Sequence, residues 1–311
     1  MKKFGKVVKK MLIGLLVVLV VFFTGTFIFG RVTLNNNKAK IEPYGQKVDV
    51  MGKQMNVYIQ GNGEETIVMI PGYGTPSPTL DFAPLIDELS GKYRVVVLEP
   101  FGYGLSDETD RERTPANMIE EYHEAIKALG IDKFVFMGHS IGGIYILNYV
   151  NTYPGEVTAF IGVDTSVPDQ PSTSLPSGLF KFAKKSGILS LVQEFYMESG
   201  APATVWEGQK ENYDLIADVN AFNDTTMNEL GNLTNIFESS RGLKLPADLP
   251  VYLFVQEHNT GVERWTEMHQ AQMAEGKNGK MLLIDADHYL HHTESKLIAS
   301  ETIKYLESLK Q

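Results

Sequence analysis

Phe134-Val-Phe-Met-Gly-His-Ser-Ile-Gly-Gly143 constrains this chain more than any other stretch. An apolar run leads straight into Gly138-His139-Ser140-Ile141-Gly142, and a helix-like segment follows. The pattern G-x-S-x-G carries chemical meaning between a strand and a helix, where the tight turn forces its serine into a strained backbone position at the top of a sheet. Gly138 and Gly142 fit that turn because side chains there would collide where strand and helix pack closely. The spacing predicts that Ser140 is a nucleophile. A plain Gly/Ser-rich loop would need neither the strand before it nor the helix after it.

The rest of the chain supplies a sheet for such a turn. Thr66–Ile70, Arg94–Leu98, Val157–Val163, Pro250–Val255 and Lys280–Ile284 are short apolar runs, typical of strands buried on both faces. Gln46 to Gly61 alternates and breaks at Gly52, which predicts an antiparallel hairpin. Helical patterns lie between the strands. One is expected near Asp81–Leu89. Another follows Thr114-Pro115, a cap and first-turn proline, with Ile119, Tyr122, Ile126 and Leu129 on one face. A last helix carries Ile298, Thr302, Tyr305, Leu306 and Leu309. Strict alternation of this kind predicts an α/β fold, with a mostly parallel sheet, helices on both faces and ligand sites at the carboxyl ends of the strands.

The alternation stops over residues 166–248, where no strand pattern is found. Pro168, Pro171 and Pro176 open the segment. Leu179, Phe182 and Ala183, then Ile188, Leu191, Val192 and Phe195, suggest amphipathic helices. It is expected to be a helical cap inserted after strand 6. The expected core is 45–165 with 249–311.

Before the core, residues 1–31 read as a basic flank and an anchor. Met11 to Gly30 carries no charge, long enough at about 1.5 Å per residue to cross ~30 Å of hydrocarbon. A cleavable signal peptide normally has a shorter apolar region and a small-x-small site, whereas this run ends Phe27-Ile-Phe-Gly-Arg31. An uncleaved transmembrane helix is therefore expected. Its positive flank would stay in the cytoplasm and the catalytic part would lie outside the cell, tethered to the bilayer through residues 11–30. Residues 32–44, polar and patternless, read as a stalk.

Charge and cysteine narrow the chemistry further. Five of the 28 Lys+Arg fall in the first thirty residues, which carry no acid; the remainder holds 23 against 38 Asp+Glu, a net −15. So acidic a globular part argues against a nucleic-acid partner and against docking through a basic patch on anionic lipid. Cysteine is absent, which excludes disulfides, thiolate catalysis and cysteine-based zinc sites. No phosphate-cradling loop or metal-ligand spacing stands out, so neither cofactor nor metal is expected. Gly102-Tyr-Gly104 follows a strand but lacks the third glycine and helix of a dinucleotide turn.

A serine nucleophile needs a base, a group that orients the base, and donors for the oxyanion. His288, just past the last strand in Asp285-Ala-Asp-His-Tyr-Leu-His-His292, lies on the same sheet edge as Ser140 and is the expected base. His291 and His292 are the alternatives, otherwise lying on the following loop or helix start. His139 is expected to point away from the site, His123 to face water from a helix, and His269 to lie on the surface.

Taken in order, Pro71-Gly-Tyr-Gly, Gly102-Tyr-Gly-Leu-Ser-Asp107, Gly138-His-Ser-Ile-Gly142 and the late Asp-His-Tyr-Leu resemble the α/β-hydrolase superfamily over about residues 45–311. The resemblance implies an eight-stranded, mostly parallel sheet with a helical cap after the sixth strand. It also implies an oxyanion hole from the backbone N–H groups of Tyr73 and Ile141. Many relatives carry His where Pro71 stands. Members commonly place the acid a few residues beyond the seventh strand, where this chain has Asn259. Two substitutes exist. Asp164 ends the sixth strand, where certain haloalkane dehalogenases keep their acid, and Glu257 lies near the usual place. Asp164 is preferred. Glu99 is expected to be structural, and Asp285 and Asp287 solvated.

The expected function is a membrane-tethered serine hydrolase that cleaves a carboxylic ester through an acyl-enzyme. The apolar cap suggests a small-molecule ester with a lipophilic acyl part. A proline-releasing-type peptidase or amidase, and a non-catalytic binding module on the same fold, are the alternatives. A dehalogenase needs a carboxylate nucleophile, which Ser140 is not.

Overall fold

The computed structural model describes residues 2–174, 177–196, 199–273 and 279–310. Pro176, expected to help open the inserted segment, lies outside them. Helix α1 spans Lys2–Lys40; β1 (Gln46–Val50) and β2 (Lys53–Gln60) form a hairpin; β3 is Thr66–Ile70. Two short helices, α2 (Pro78–Asp81) and α3 (Ala83–Ser90), lead to β4 (Arg94–Glu99). Then come α4 (Pro115–Ala128), β5 (Phe134–His139), α5 (Gly142–Thr152) and β6 (Val157–Val163). Four helices follow: α6 (Ser177–Lys185), α7 (Ile188–Tyr196), α8 (Lys210–Asn220) and α9 (Asp224–Ser240). The chain closes with β7 (Val251–Gln256), α10 (Trp265–Met273), β8 (Gly279–Ile284), α11 (Leu290–Thr293) and α12 (Ser295–Ser308).

The eight strands form one sheet in the order β1-β2-β4-β3-β5-β6-β7-β8. Strand β2 runs antiparallel to β1 and β4, and every other pair is parallel. The period of two divides each central strand between two cores. Val68, Ile70, Val96 and Leu98 pack with Ile119 of α4 and Ile144 of α5. Ile67, Met69, Val95 and Val97 pack on the other face with Leu85 of α3 and Ile298 of α12. These strands are apolar throughout because both faces are covered.

Three local expectations change. The helix expected near Asp81–Leu89 is found at Ala83–Ser90 but is preceded by a separate short helix, because Pro84 has no N–H and its ring would clash with the carbonyl four residues back in a continuous one. Helix α10, which carries no clear apolar stripe, was not predicted. The polar stretch after Arg31 is not an irregular stalk. It continues α1 to Lys40, held by Asn37 on Asp218 and by Asn212, which bonds both the N–H and the C=O of Glu42. Helix α1 is long and apolar enough to cross a membrane by length and composition.

A buried carboxylate stitches the front loops to this sheet. Glu99, at the end of β4, accepts hydrogen bonds from the Tyr44 hydroxyl, the Asn56 amide and the backbone N–H groups of Thr79 and Leu105. Its role is structural, as expected, and burial pushes its pKa up. Gly104 sits against it at φ 51, where a Cβ would come within 1.9 Å of Oε2. Gly104→Ala should therefore lower unfolding free energy by about 2–4 kcal/mol through left-handed strain and a displaced buried acceptor. Urea denaturation monitored by circular dichroism measures this, and an unchanged midpoint would refute it.

Candidate active site

Strand β5 runs into α5 through Ser140, whose φ is 52. A non-glycine residue holds this conformation only when its surroundings over-determine it. Here Ser140 N–H donates to Val163 O at 3.3 Å, while Ser140 O accepts from Gly143 N–H at 3.0 Å and Ser166 N–H at 2.7 Å. The glycines beside it are required by packing. A Cβ on Gly138 would lie 2.7 Å from Ile146 Cδ1 and 3.2 Å from the Gly142 carbonyl carbon. One on Gly142 would meet Pro71 O at 3.2 Å. The turn after β3 closes in from the other side, and a Cβ on Gly72 would come within 2.9 Å of Ser140 Cβ. Tyr73, next in that turn, and Ile141, next after the serine, are thus brought to one place.

Asp164, directly after β6, is also left-handed at φ 42 and fully buried. One carboxylate oxygen, Oδ1, accepts from Gln256 N–H at 2.9 Å and from Trp265 Nε1–H at 2.7 Å. The other, Oδ2, lies 2.6 Å from Nδ1 of His288, in the loop after β8. The second candidate acid, Glu257, is exposed and does not share this arrangement. Asn259 caps its own turn, accepting from Gly261 and Val262 N–H. Asp285 and Asp287 are exposed, as expected.

Of the other histidines, His139, His123 and His269 depart from expectation, while His291 and His292 lie at a helix start as expected. His139 is buried against the site, not turned away. Its Nε2–H donates to the His288 carbonyl at 3.1 Å, and its ring lies 4.7 Å from that of His288 and 4.8 Å from that of His291. His291 and His292, at the start of α11, hold the two oxygens of Asp81 at 2.8 and 2.9 Å. His269 is buried, bonded to Thr165 O and Trp265 O, because α10 turns it inward. His123 lies on α4 but is only partly exposed, stacked on Tyr153.

Sequence reasoning missed Trp265, whose indole fixes Asp164, because nothing in the pattern marked α10. It also missed Glu229 of α9, which is buried and accepts from the Tyr103 and Tyr145 hydroxyls at 2.7 and 2.6 Å. Tyr103 also accepts from Gly74 N–H, so this carboxyl ties the inserted helices to the Tyr73 turn. A cavity of about 310 Å³ opens beside that turn, between Tyr73, Gly74 and Tyr103 below and Leu189, Ala217 and Phe222 above.

The family model described as alpha/beta hydrolase fold matches residues 65–187. A Bacillus subtilis protein, the uncharacterised YbdG, is 28% identical over 259 residues, 79% of this chain and 78% of that protein. The human serine hydrolase BPHL is 32% identical over 133 residues, 40% of this chain and 45% of its own length. This chain therefore spans less than half of that relative. Among solved structures, the enol-lactonase from Burkholderia xenovorans LB400 superposes with TM-score 0.63 at 16% identity, over 84% of this chain and 100% of that one. A bacterial membrane phospholipase A superposes with TM-score 0.62 at 16% identity, over 97% of this chain and 99% of that one. The chain has the α/β-hydrolase fold, matched by the family model over residues 65–187.

Two outcomes follow from this geometry. Asp164→Asn should lower hydrolytic turnover by about 10³–10⁴-fold, the loss seen when an aspartate that orients a histidine is made neutral, with Glu257→Gln close to wild type. Steady-state assays on the purified variants decide it, and equal turnover in Asp164→Asn and wild type would sink the assignment. The second concerns pH. Burial, then the neighbouring His291 and His288, holds the His139 pKa well below the usual histidine value. Below about pH 6.5 the unfolded chain takes up a proton there that the folded chain refuses, so stability falls as pH drops. His139→Gln should make stability less steep in pH between 7 and 5, by up to about 1.4 kcal/mol per unit. Denaturation midpoints across that range measure the slope; an unchanged slope would contradict it.

Proposed function

We propose that this protein is a serine hydrolase that cleaves carboxylic esters through an acyl-enzyme. Ser140 is the nucleophile, His288 the base and Asp164 the acid that orients it. The observation that carries this reading is the 2.6 Å contact between Asp164 and His288 on the sheet edge where Ser140 is held at positive φ. With Nδ1–H committed to Asp164, Nε2 is the basic ring nitrogen. It takes the Ser140 proton as Oγ attacks the acyl carbon, and the oxyanion forms against the backbone N–H groups of Tyr73 and Ile141. Collapse breaks the ester bond, and His288 returns the proton to the departing alcohol. Water, deprotonated by His288, then attacks the acyl-serine; the acid leaves and Ser140 recovers its proton. Asp164 stabilises the transient imidazolium, while its Gln256 and Trp265 bonds keep its other oxygen occupied.

On this reading helices α6–α9 are a cap, and the cavity between them and the Tyr73 turn takes the acyl group. Helix α1 tethers the enzyme to the bilayer, its basic end in the cytoplasm and the catalytic part outside. Two features support a lipophilic ester bound near a membrane. The cavity is lined mostly by apolar side chains. The likeness to a membrane phospholipase A covers 97% of this chain and so takes in part of α1. A fluorophosphonate probe should label the full-length wild type and not Ser140→Ala, and p-nitrophenyl butyrate hydrolysis should fall by at least about 10³-fold in that variant. Folded wild type that neither labels nor hydrolyses would leave the fold as a binding module.

A further inference from the structure

Helix α1 docks against the inserted helices backbone to backbone. A Cβ on Gly30 would lie 2.6 Å from Gly187 Cα, and one on Gly187 would lie 1.9 Å from Thr26 O. Gly187 turns the chain between α6 and α7, so both helices lie against the end of the apolar run. Phe182 of α6 packs on Phe23, and Phe195 of α7 on Phe29, with ring centroids 5.8 and 6.4 Å apart. Phe23 lies seven residues before Gly30, about 10 Å back along the helix axis. If residues 11–30 cross the bilayer, α6 sits at that depth, within the 5–10 Å to which interfacial amphipathic helices sink. Leu179, Phe182, Val192 and Phe195 are exposed there, Leu179 at 72% and Phe195 at 66%.

The same junction concentrates positive charge on an acidic protein. A cavity of about 170 Å³ is lined by Arg31 of α1, by Lys181, Lys184 and Lys185 of α6, and by Glu108 and Asp224. Asp224 contacts Lys181 at 3.7 Å and Lys185 at 3.2 Å, so four cations face two acids. Lys184 is tied to Val219 O, and burial pushes its pKa down to about 8. Phe222 lines both this cavity and the larger one beside Tyr73. It is a bulky residue at φ 48, stacked on Phe180 of α6, and a strained side chain between two cavities calls for a functional account.

We infer that α6 and α7 lie in the membrane interface and select an anionic glycerophospholipid, whose phosphate sits among Arg31, Lys181 and Lys185 while its acyl ester passes Phe222 toward Ser140. This rests on the ester-hydrolase reading and its membrane tether, and it names the substrate class. The overall charge of −15 after residue 30 argued against such a patch, but an interface reads the local field, screened beyond about 10 Å. The apolar face and the charged pocket share one helix: Leu179 and Phe182 are exposed on α6, and Lys181, Lys184 and Lys185 line the cavity.

The test uses the full chain in vesicles of phosphatidylcholine mixed with phosphatidylglycerol. In a Ser140→Ala background that leaves lipid intact, Phe182→Trp emission, corrected for Trp206 and Trp265, is measured with bromine on one lipid or the other. Brominated lipid should quench it, and brominated phosphatidylglycerol more strongly than brominated phosphatidylcholine. That preference should vanish in Lys181→Gln/Lys185→Gln. With the Ser140-containing enzyme, the ratio of fatty acid released from phosphatidylglycerol to that from phosphatidylcholine should fall about tenfold in the double variant. Absence of quenching would overturn the inference, and would be the outcome if a second copy of the chain covered Phe182. Equal quenching by both lipids, or an unchanged release ratio, would also overturn it. Ser140-dependent hydrolysis of p-nitrophenyl butyrate alongside such a result would leave the ester-hydrolase reading standing. Selective quenching without any ester hydrolysis would remove that reading instead.

Discussion

The left-handed turn at Ser140 is the constraint on which the site depends. A serine at φ 52 is stable only because neighbouring segments leave it no alternative. The end of β6 takes its N–H, Ser166 and Gly143 take its carbonyl, and Gly72 closes over its Cβ. Those segments follow β3, β5 and β6, which lie side by side in the order β3-β5-β6. Parallel strands bring their carboxyl ends to one edge, and that is why three loops distant in sequence can lock one turn.

Buried charge does the remaining positioning. Asp81, Glu99, Asp164 and Glu229 are all buried, and each would be costly without partners. Each has them: two histidines for Asp81, amides and a tyrosine for Glu99, an indole, an amide and His288 for Asp164, and two tyrosines for Glu229. In every case the partners come from other segments of the chain. The carboxylates therefore act as clamps between segments brought together by the fold. Around His288 the clamps are continuous, since His139 holds its carbonyl and meets His291 edge to face, and His291 in turn holds Asp81.

The inserted helices join the N-terminal helix to the sheet. Helix α9 is fixed to the sheet side through Glu229 and packs on α4 and α5. Helices α7 and α8 pack on α1. The apolar N-terminal helix is therefore not an independent appendage. It continues without a break to Lys40 and shares a Gly30–Gly187 contact with the segment that roofs the Tyr73 cavity.

The sheet was legible in the chain itself because strands buried on both faces must be apolar throughout, and Thr66–Ile70, Arg94–Leu98 and Phe134–Met137 could be little else. The elbow was legible too, since a glycine on each side of Ser140 between strand and helix answers a steric demand local to ten residues. The helix of residues 32–40 was not, because its polar residues are stabilised by Asp218 and other α8 contacts from far along the chain. Nor was α10, nor the inward turn of His139 and His269, since a lone histidine carries no mark of what surrounds it. Sequence could only prefer Asp164 over Glu257. Tertiary structure sets their surroundings, burying the first against His288 and Trp265 and leaving the second exposed. Local sterics are written in neighbouring residues, whereas the partners of a buried carboxylate are chosen by how the strands and loops come together.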